Sequence, residues 1–186
     1  MQVDDEAAEV VARHTAPNCP AYTDSCVEIF ISSAGSQLPY VNLEMNCLGA
    51  ILLQTHATAP RGGGPVDPAI WHAKIDRWTS VDKAALGAAD QTRPYRWSAS
   101  LKLTFELLHQ LLGLPHASPE ASSAPAYRIG LFKCADDSPR PHWGAWADIG
   151  EKLDFHQPDR FGALVLSGDA EAQSEPATLS QTDSTR

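Results

Sequence analysis

An all-β fold is what the sequence predicts: an antiparallel β-sandwich of the immunoglobulin or jelly-roll kind, with one short helix and long loops. Three observations carry this. Runs rich in β-branched and aromatic residues recur at Tyr22–Ile31, Tyr40–Leu53, Tyr95–Phe105, Tyr127–Cys134 and Phe161–Leu166, which is strand composition. Two of these runs alternate apolar and polar residues with period 2. A single stretch, Glu106–Leu114, reads as a short helix, ended by Gly113 and Pro115. Many strands with little helix must bury their apolar faces sheet against sheet, in a sandwich or an open barrel.

In chain order, residues 1–12 are acidic and Ala-rich, with Val3, Val10 and Val11 as candidates for a partial strand. Pro17, Asn18 and Pro20 punctuate a turn. In the Tyr22–Ile31 strand, alternation places Val27, Ile29 and Ile31 on one face and Tyr22, Asp24, Cys26, Glu28 and Phe30 on the other. The first face is core. The second mixes carboxylates with aromatics, and a carboxylate among large apolar neighbours must find a partner or lose its charge. Glu28 is therefore either a ligand-binding group or a mid-strand acid paired with an Arg across the sheet. After a loop at Ser32–Pro39, Tyr40–Leu53 is expected as one long half-exposed strand, with Val41, Leu43, Met45 and Cys47 opposite Asn42, Glu44 and Asn46.

His56–Pro94 reads as a long polar segment, and such segments in compact domains are functional or disordered. Its Arg61-Gly-Gly-Gly-Pro65 run lacks both phosphate-loop patterns. Trp78 is a candidate start for a further strand. In Tyr95–Phe105, Trp97, Leu101, Leu103 and Phe105 share one side. Residues 116–125 form a loop, as does the stretch from Lys133 to Phe161 outside its first residues. The sandwich is expected over residues 1–167, with 168–186, polar and aperiodic, as a disordered tail.

Composition excludes several function classes. With 43% hydrophobic and 20% charged residues the chain is an ordinary globular domain. A net charge of −9 without a basic cluster argues against a nucleic-acid partner. No apolar run approaches the roughly 20 residues that span a bilayer, so no membrane partner is expected. The acidic start lacks the basic-then-apolar character of a secretory signal, which predicts a cytoplasmic protein as written and an extracellular one if the true start lies upstream. Cys19, Cys26, Cys47 and Cys134 show no Cys-x-x-Cys pair and no zinc-site spacing, and are expected as buried free thiols. No pattern specifies an oligomeric state.

Trp143 and Trp146 stand three apart in a segment punctuated by Pro and Gly. An exposed Trp is a platform for the C–H face of a pyranose, whose hydroxyls then seek carboxylates, amides and Arg; alternatively both indoles close one end of the sandwich. His142, His156, Asp136, Asp137, Asp148, Asp154 and Asp159 could surround a metal, but Asp-x-Asp-x-Asp-Gly spacing is missing and a solvated acidic loop is the simpler reading. His14, His56, His72, His109 and His116 read as surface residues. No catalytic residues are assigned: no Gly-x-Ser-x-Gly turn is present, and Glu28 with Glu44 suits hydroxyl binding better than a glycosidase pair, whose two pKa values must be driven apart.

With these residues in view, the chain resembles the family 9 carbohydrate-binding modules, DOMON-like β-sandwiches that include single-domain bacterial members. Asp-Ser-Cys-Val-Glu-Ile-Phe-Ile at the first strand, Tyr-Val-Asn-Leu-Glu-Met-Asn-Cys-Leu-Gly at the second, and Arg-Ile-Gly-Leu-Phe-Lys-Cys through Pro-His-Trp-Gly-Ala-Trp to Asp-Phe-His-Gln-Pro-Asp-Arg-Phe-Gly carry the likeness. It covers about residues 10–167 and includes Trp97–Leu108. The resemblance implies a non-catalytic module that grips a saccharide between two aromatics, in association with breakdown of xylan-type glycosides. By position, Tyr22 resembles the first aromatic and Glu28 a hydroxyl-binding acid. Trp146 resembles the second aromatic, with Trp143 as the alternative, while Asn42, Glu44 and Arg128 would add polar contacts. No cofactor is implied, although some members bind calcium, whose ligands the motifs do not place here. The chain departs from the pattern in starting some tens of residues late, in having Gly130 where Asn is common, and in having Tyr22 where xylan and cellulose binders have Trp. Two other functions stay open. One is a small glycoside hydrolase using Glu28 and Glu44; the other is a haem-binding sandwich using Met45 and a His.

Overall fold

The computed structural model describes residues 1–6, 9–86, 94–115 and 125–166. The expected C-terminal tail and most of the 116–125 loop, including His116, lie outside the described residues. The elements are β1 (Gln2–Glu6), β2 (Cys26–Ser33), β3 (Tyr40–Asn46), β4 (Ile51–His56), β5 (Gly64–Pro65), α1 (Pro68–Trp71), β6 (Asp76–Thr79), α2 (Lys83–Leu86), β7 (Pro94–Lys102), α3 (Phe105–Leu112), β8 (Pro125–Ala135), β9 (His142–Ala145) and β10 (Gly162–Val165). They build two sheets, a small one ordered β1-β7-β6 and a large one ordered β10-β8-β2-β3-β4-β5, with β9 also paired to β8. Strand pairs are antiparallel throughout the described residues. This is the antiparallel β-sandwich expected from the sequence.

Several expected boundaries differ, each for a local reason. Tyr40–Leu53 is two strands, because the Asn46 side chain folds the backbone into a turn. Its Oδ1 accepts from the N–H groups of Leu48 (3.1 Å) and Ala50 (2.8 Å), and Gly49 supplies φ +82°. Tyr22 is not on the strand face but in a 3-10 turn over Ala21–Thr23. The His56–Pro94 segment holds β5, α1, β6 and α2, and β9 emerges from the expected loop after Lys133. Helix α3 starts at Phe105, so Leu103 and Phe105 lie beyond β7. Thr104 caps it by accepting from the Leu107 N–H, and Gly113 ends it at φ +65°.

The inner core lies between the sheets. Val27, Val41, Leu43, Met45, Ile51 and Leu53 of the large sheet meet Val3, Trp97 and Ala99 of the small one, with Leu107, Leu108 and Leu112 of α3. A second cluster covers the outer face of the large sheet, where Cys26, Phe30, Tyr40, Leu52, Phe132 and Cys134 pack against Phe155 and Phe161 from the loops. Every residue of β3 is consequently buried, which corrects the half-exposed reading. Among the described residues no helix is long and apolar enough to cross a membrane.

Asp24 ties the N-terminal segment to this frame. It is fully buried and accepts from the backbone N–H groups of Arg13 and His14 and from Asn46 Nδ2, each at 2.9 Å, with Arg13 Nε at 3.1 Å. Burial alone would raise its pKa, but the N–H groups of His14 and Arg13, with the Arg13 and Asn46 side chains, hold it below the usual carboxylate value. Asp24→Ala leaves these donors buried and unpaired and is expected to cost about 3 kcal/mol in urea unfolding.

Candidate functional site

Antiparallel register decides which side chains share the outer face of the large sheet. One row across the strands runs Asn46, Cys26, Cys134, Trp143; the next runs Leu52, Glu44, Glu28, Phe132, Ala145. A third runs Gln54, Asn42, Phe30, Gly130, and a fourth His56, Tyr40, Ser32, Arg128. Above these rows opens a cleft of about 520 Å³, within the size range of small-molecule sites. Glu28, Glu44, Gln54, His56 and Cys134 form its floor. Tyr22, Asp136 and Trp143 line one side, and Arg61, Leu153, Asp154, Phe155 and His156 the other.

Glu28 and Glu44 face each other in register on neighbouring strands, and each side chain is almost wholly out of solvent. The Arg partner expected of a structural Glu28 is missing among the described residues; its recorded side-chain hydrogen bond comes from Cys134 Sγ at 2.7 Å. The buried cation of the large sheet is Lys133, on the opposite face, 3.4 Å from Asp5 of β1. Burial first, and then the charge of Glu44, push the Glu28 pKa well above the ordinary carboxylate value. Burial likewise raises Glu44 to about 7 against the opposing hydrogen bond from Asn42. Near neutral pH the pair therefore retains protons, and can both donate to and accept from a hydroxyl.

The rim is held by a network around Tyr40. Its hydroxyl lies 2.7 Å from His156 Nδ1 and accepts from the Arg61 N–H at 3.3 Å. The Arg61 guanidinium pairs with Asp154 at 2.8 Å. Burial and the neighbouring Arg61 charge push His156 down to about 3, so its imidazole is neutral. His56 stacks on Tyr40 with ring centroids 4.6 Å apart. Both His56 ring nitrogens and Glu44 Oε2 are buried without a hydrogen-bond partner among the described residues. Buried polar atoms of this kind at a cleft floor are unmet binding capacity. Gly63 brings the Arg61 loop against β4, where an added Cβ would collide with the Thr55 carbonyl group. Gly63→Ala is expected to destabilise the protein by roughly 2 kcal/mol in thermal or urea unfolding, because backbone must move.

The structure thus brings Tyr22, Glu28, Glu44 and Trp143 into one cleft. Asn42 lies just beneath it, fully buried, donating through Nδ2 to Glu44 Oε1 at 3.0 Å and to Gln54 Oε1 at 3.3 Å. Arg128 and Trp146 are elsewhere. Arg128 donates to the carbonyls of Asp159 and Phe161 and braces the chain entering β10. Trp146 follows the last residue of β9, is 44% exposed and lies over Gly162, where a Cβ would meet its ring at 2.6 Å. Trp143 sits in β9, in the Cys134 row, and faces the cleft 38% exposed, its Nε1 donating to Asp136 at 2.8 Å. Gly130 is required by packing, since a Cβ there would lie 2.6 Å from the Phe132 ring.

Two expected surface histidines are buried. His56 joins the cleft floor, and His109 lies between Tyr127 Oη and the Pro115 carbonyl, 2.6 Å from each. His142 pairs with Asp5 at 3.0 Å, on a different part of the fold from His156. Met45 faces the inner core. His56, Arg61, Asp154 and His156 join the cleft although the sequence gives no saccharide-site role to any of them; the pairing of Tyr40 with His56 across β3 and β4 becomes legible only once Tyr40–Leu53 is resolved into two strands.

The profile described as carbohydrate-binding family 9 matches residues 2–166. A candidate carbohydrate-binding protein from Bacteroides uniformis shares 26% identity at a TM-score of 0.69, over 89% of this chain and 71% of that one. A family 9 module from Caldicellulosiruptor kristjanssonii, solved with cellotriose, aligns at 14% identity and a TM-score of 0.49, over 95% of this chain and 73% of that one. No curated protein matches the chain.

Proposed function

Because this chain belongs to carbohydrate-binding family 9, we propose that the outer-face cleft is its saccharide site. The ring of one sugar rests against Tyr22 and Trp143, and its hydroxyls reach Glu44, Glu28 and His56 below. The observation that carries this reading is the pairing of half-exposed aromatics with unpartnered buried polar atoms in one cleft. A polyol offers donors and acceptors together, which suits a floor of protonated carboxyls and neutral imidazole. Stacking supplies most of the affinity and the polar floor the orientation. The role is non-catalytic, in service of enzymes that degrade glycosides. A glycan array combined with intrinsic Trp fluorescence tests it: a set of related saccharides binds and alters the emission. Failure to bind any saccharide would reject the reading.

The hydrolase alternative uses the same two acids. Acid/base work needs one carboxylate ionised and the other protonated; burial raises both acids here, so below neutral pH the pair is mainly protonated and lacks the ionised partner. No turnover of aryl glycosides is expected from the wild-type protein; turnover that disappears in Glu28→Gln would establish the enzyme.

A further inference from the structure

Cys26 and Cys134 are far apart in sequence and match no metal motif, yet register pairs them directly across β2 and β8. Both face outward, and Glu28, two residues along β2 from Cys26, projects on the same side. One ligand atom from each of these three side chains lies within 4.8 Å of the other two, and all three residues are buried. No other group of three or more such residues meets this condition among the described residues. We propose that Cys26, Cys134 and Glu28 form a binding site for one borderline-to-soft divalent cation, of which zinc is the best match.

The donor set selects the ion. Two thiolates and one carboxylate suit Zn²⁺, Co²⁺ or Cd²⁺ and disfavour the hard, oxygen-seeking Ca²⁺ and Mg²⁺. Tetrahedral zinc, with Zn–S near 2.3 Å, places its sulfurs about 3.8 Å apart, so the observed spacing closes by side-chain rotation on fixed strands. The strands hold the ligands, and the apolar cluster around Phe30 and Phe132, beside them on the same face, screens them from water. Cys134 and Glu28 also line the cleft, which gives the ion a way in and leaves its fourth position facing the cleft. On binding, the two thiol protons and the proton that buried Glu28 holds leave to solvent as the metal–sulfur and metal–carboxylate bonds form. The Cys134 to Glu28 contact of 2.7 Å is replaced by shared coordination. Glu28 is shared with the proposed saccharide site, but the cobalt signal below is read without any sugar, so failure of one reading leaves the other testable.

The test is titration of the full chain, kept reduced, with Co²⁺ followed by displacement with Zn²⁺. One equivalent of Co²⁺ should produce a thiolate-to-cobalt charge-transfer absorption that Zn²⁺ removes. Cys134→Ser should abolish the absorption, Glu28→Gln, which preserves side-chain shape, should weaken Zn²⁺ binding at least about tenfold, and Cys19→Ser should leave both unchanged. Absence of the absorption in the reduced wild-type protein, or its persistence in Cys134→Ser, would overturn the proposal. So would unaltered zinc affinity in a folded Glu28→Gln protein.

Discussion

Trp143→Ala is expected to weaken saccharide binding by about 30-fold, or roughly 2 kcal/mol, the scale of a central aromatic anchor. The indole lines the cleft opposite Arg61 and Asp154, and its Nε1–H donates to Asp136. Removing it deletes the stacking face and frees Asp136, whose own N–H donates to the Tyr22 carbonyl at 3.1 Å. Both aromatics on this side are thus disturbed by one change. The fold should survive, because Trp143 lies on a short edge strand and is 38% exposed. Trp146→Ala is the matched comparison: this indole is as exposed but covers Gly162, outside the cleft, so affinity should change less than about twofold. Calorimetric titration of the two variants with one soluble oligosaccharide separates the outcomes. Equal loss in both, or loss only in Trp146→Ala, would move the site.

Raising the pH from 6.5 to 8.5 is expected to lower folding stability through the buried acid pair, with Glu44 alone contributing roughly 1 kcal/mol. The acid pair sets the sign. Burial raises Glu44 in the folded protein to about 7, and burial with the charge of Glu44 holds Glu28 well above the 4.5 of an unhindered Glu. Across that interval the native state holds protons that the unfolded chain has released, so stability present at low pH is lost as pH climbs through the folded values. The lowered histidines act at the lower edge of the window and the other groups outside it. His56 and His156, both pushed down by burial, remove stability as pH falls below about 6.5, where the unfolded chain takes up protons. The carboxylates Asp5, Asp24 and Asp154, all lowered, lose their contribution in stronger acid. The buried thiols, raised above 9, matter only at the alkaline end. Glu28→Gln keeps an acceptor for Cys134 Sγ and removes the charge, so the decline should flatten and the variant should be the more stable at pH 8.5. Urea midpoints across the range measure this; a flat wild-type profile would show that the pair is not a buried acid pair.

Much of the fold was legible because sheets write a period-2 signal. The alternation around Val27 and Val41 placed Glu28 and Glu44 on the same face of adjoining strands, and the register confirms it. Turn chemistry was harder: Asn46 acts through its own side chain on Leu48 and Ala50, and a Cys-Leu-Gly-Ala run does not announce this. The β9 strand is short and flanked by Pro and Gly, so Trp143 looked like a loop residue although its neighbour in space, Cys134, fixes its direction. The site's far side is assembled by tertiary packing alone. Arg61 and Asp154 meet across 93 positions, and no local pattern relates them. The cysteine pair was invisible for the same reason, since metal-motif spacing assumes ligands close in sequence.

The most direct test of the saccharide site uses the five tryptophans of the chain as reporters. In a two-dimensional NMR titration with a bound oligosaccharide, the indole N–H resonance of Trp143, assigned by its loss in Trp143→Ala, should shift saturably. Those of Trp78 and Trp146, which are exposed but outside the cleft, should stay in place. A saturable shift of Trp78 or Trp146 with Trp143 unmoved would contradict the site and place sugar binding on another face of the sandwich.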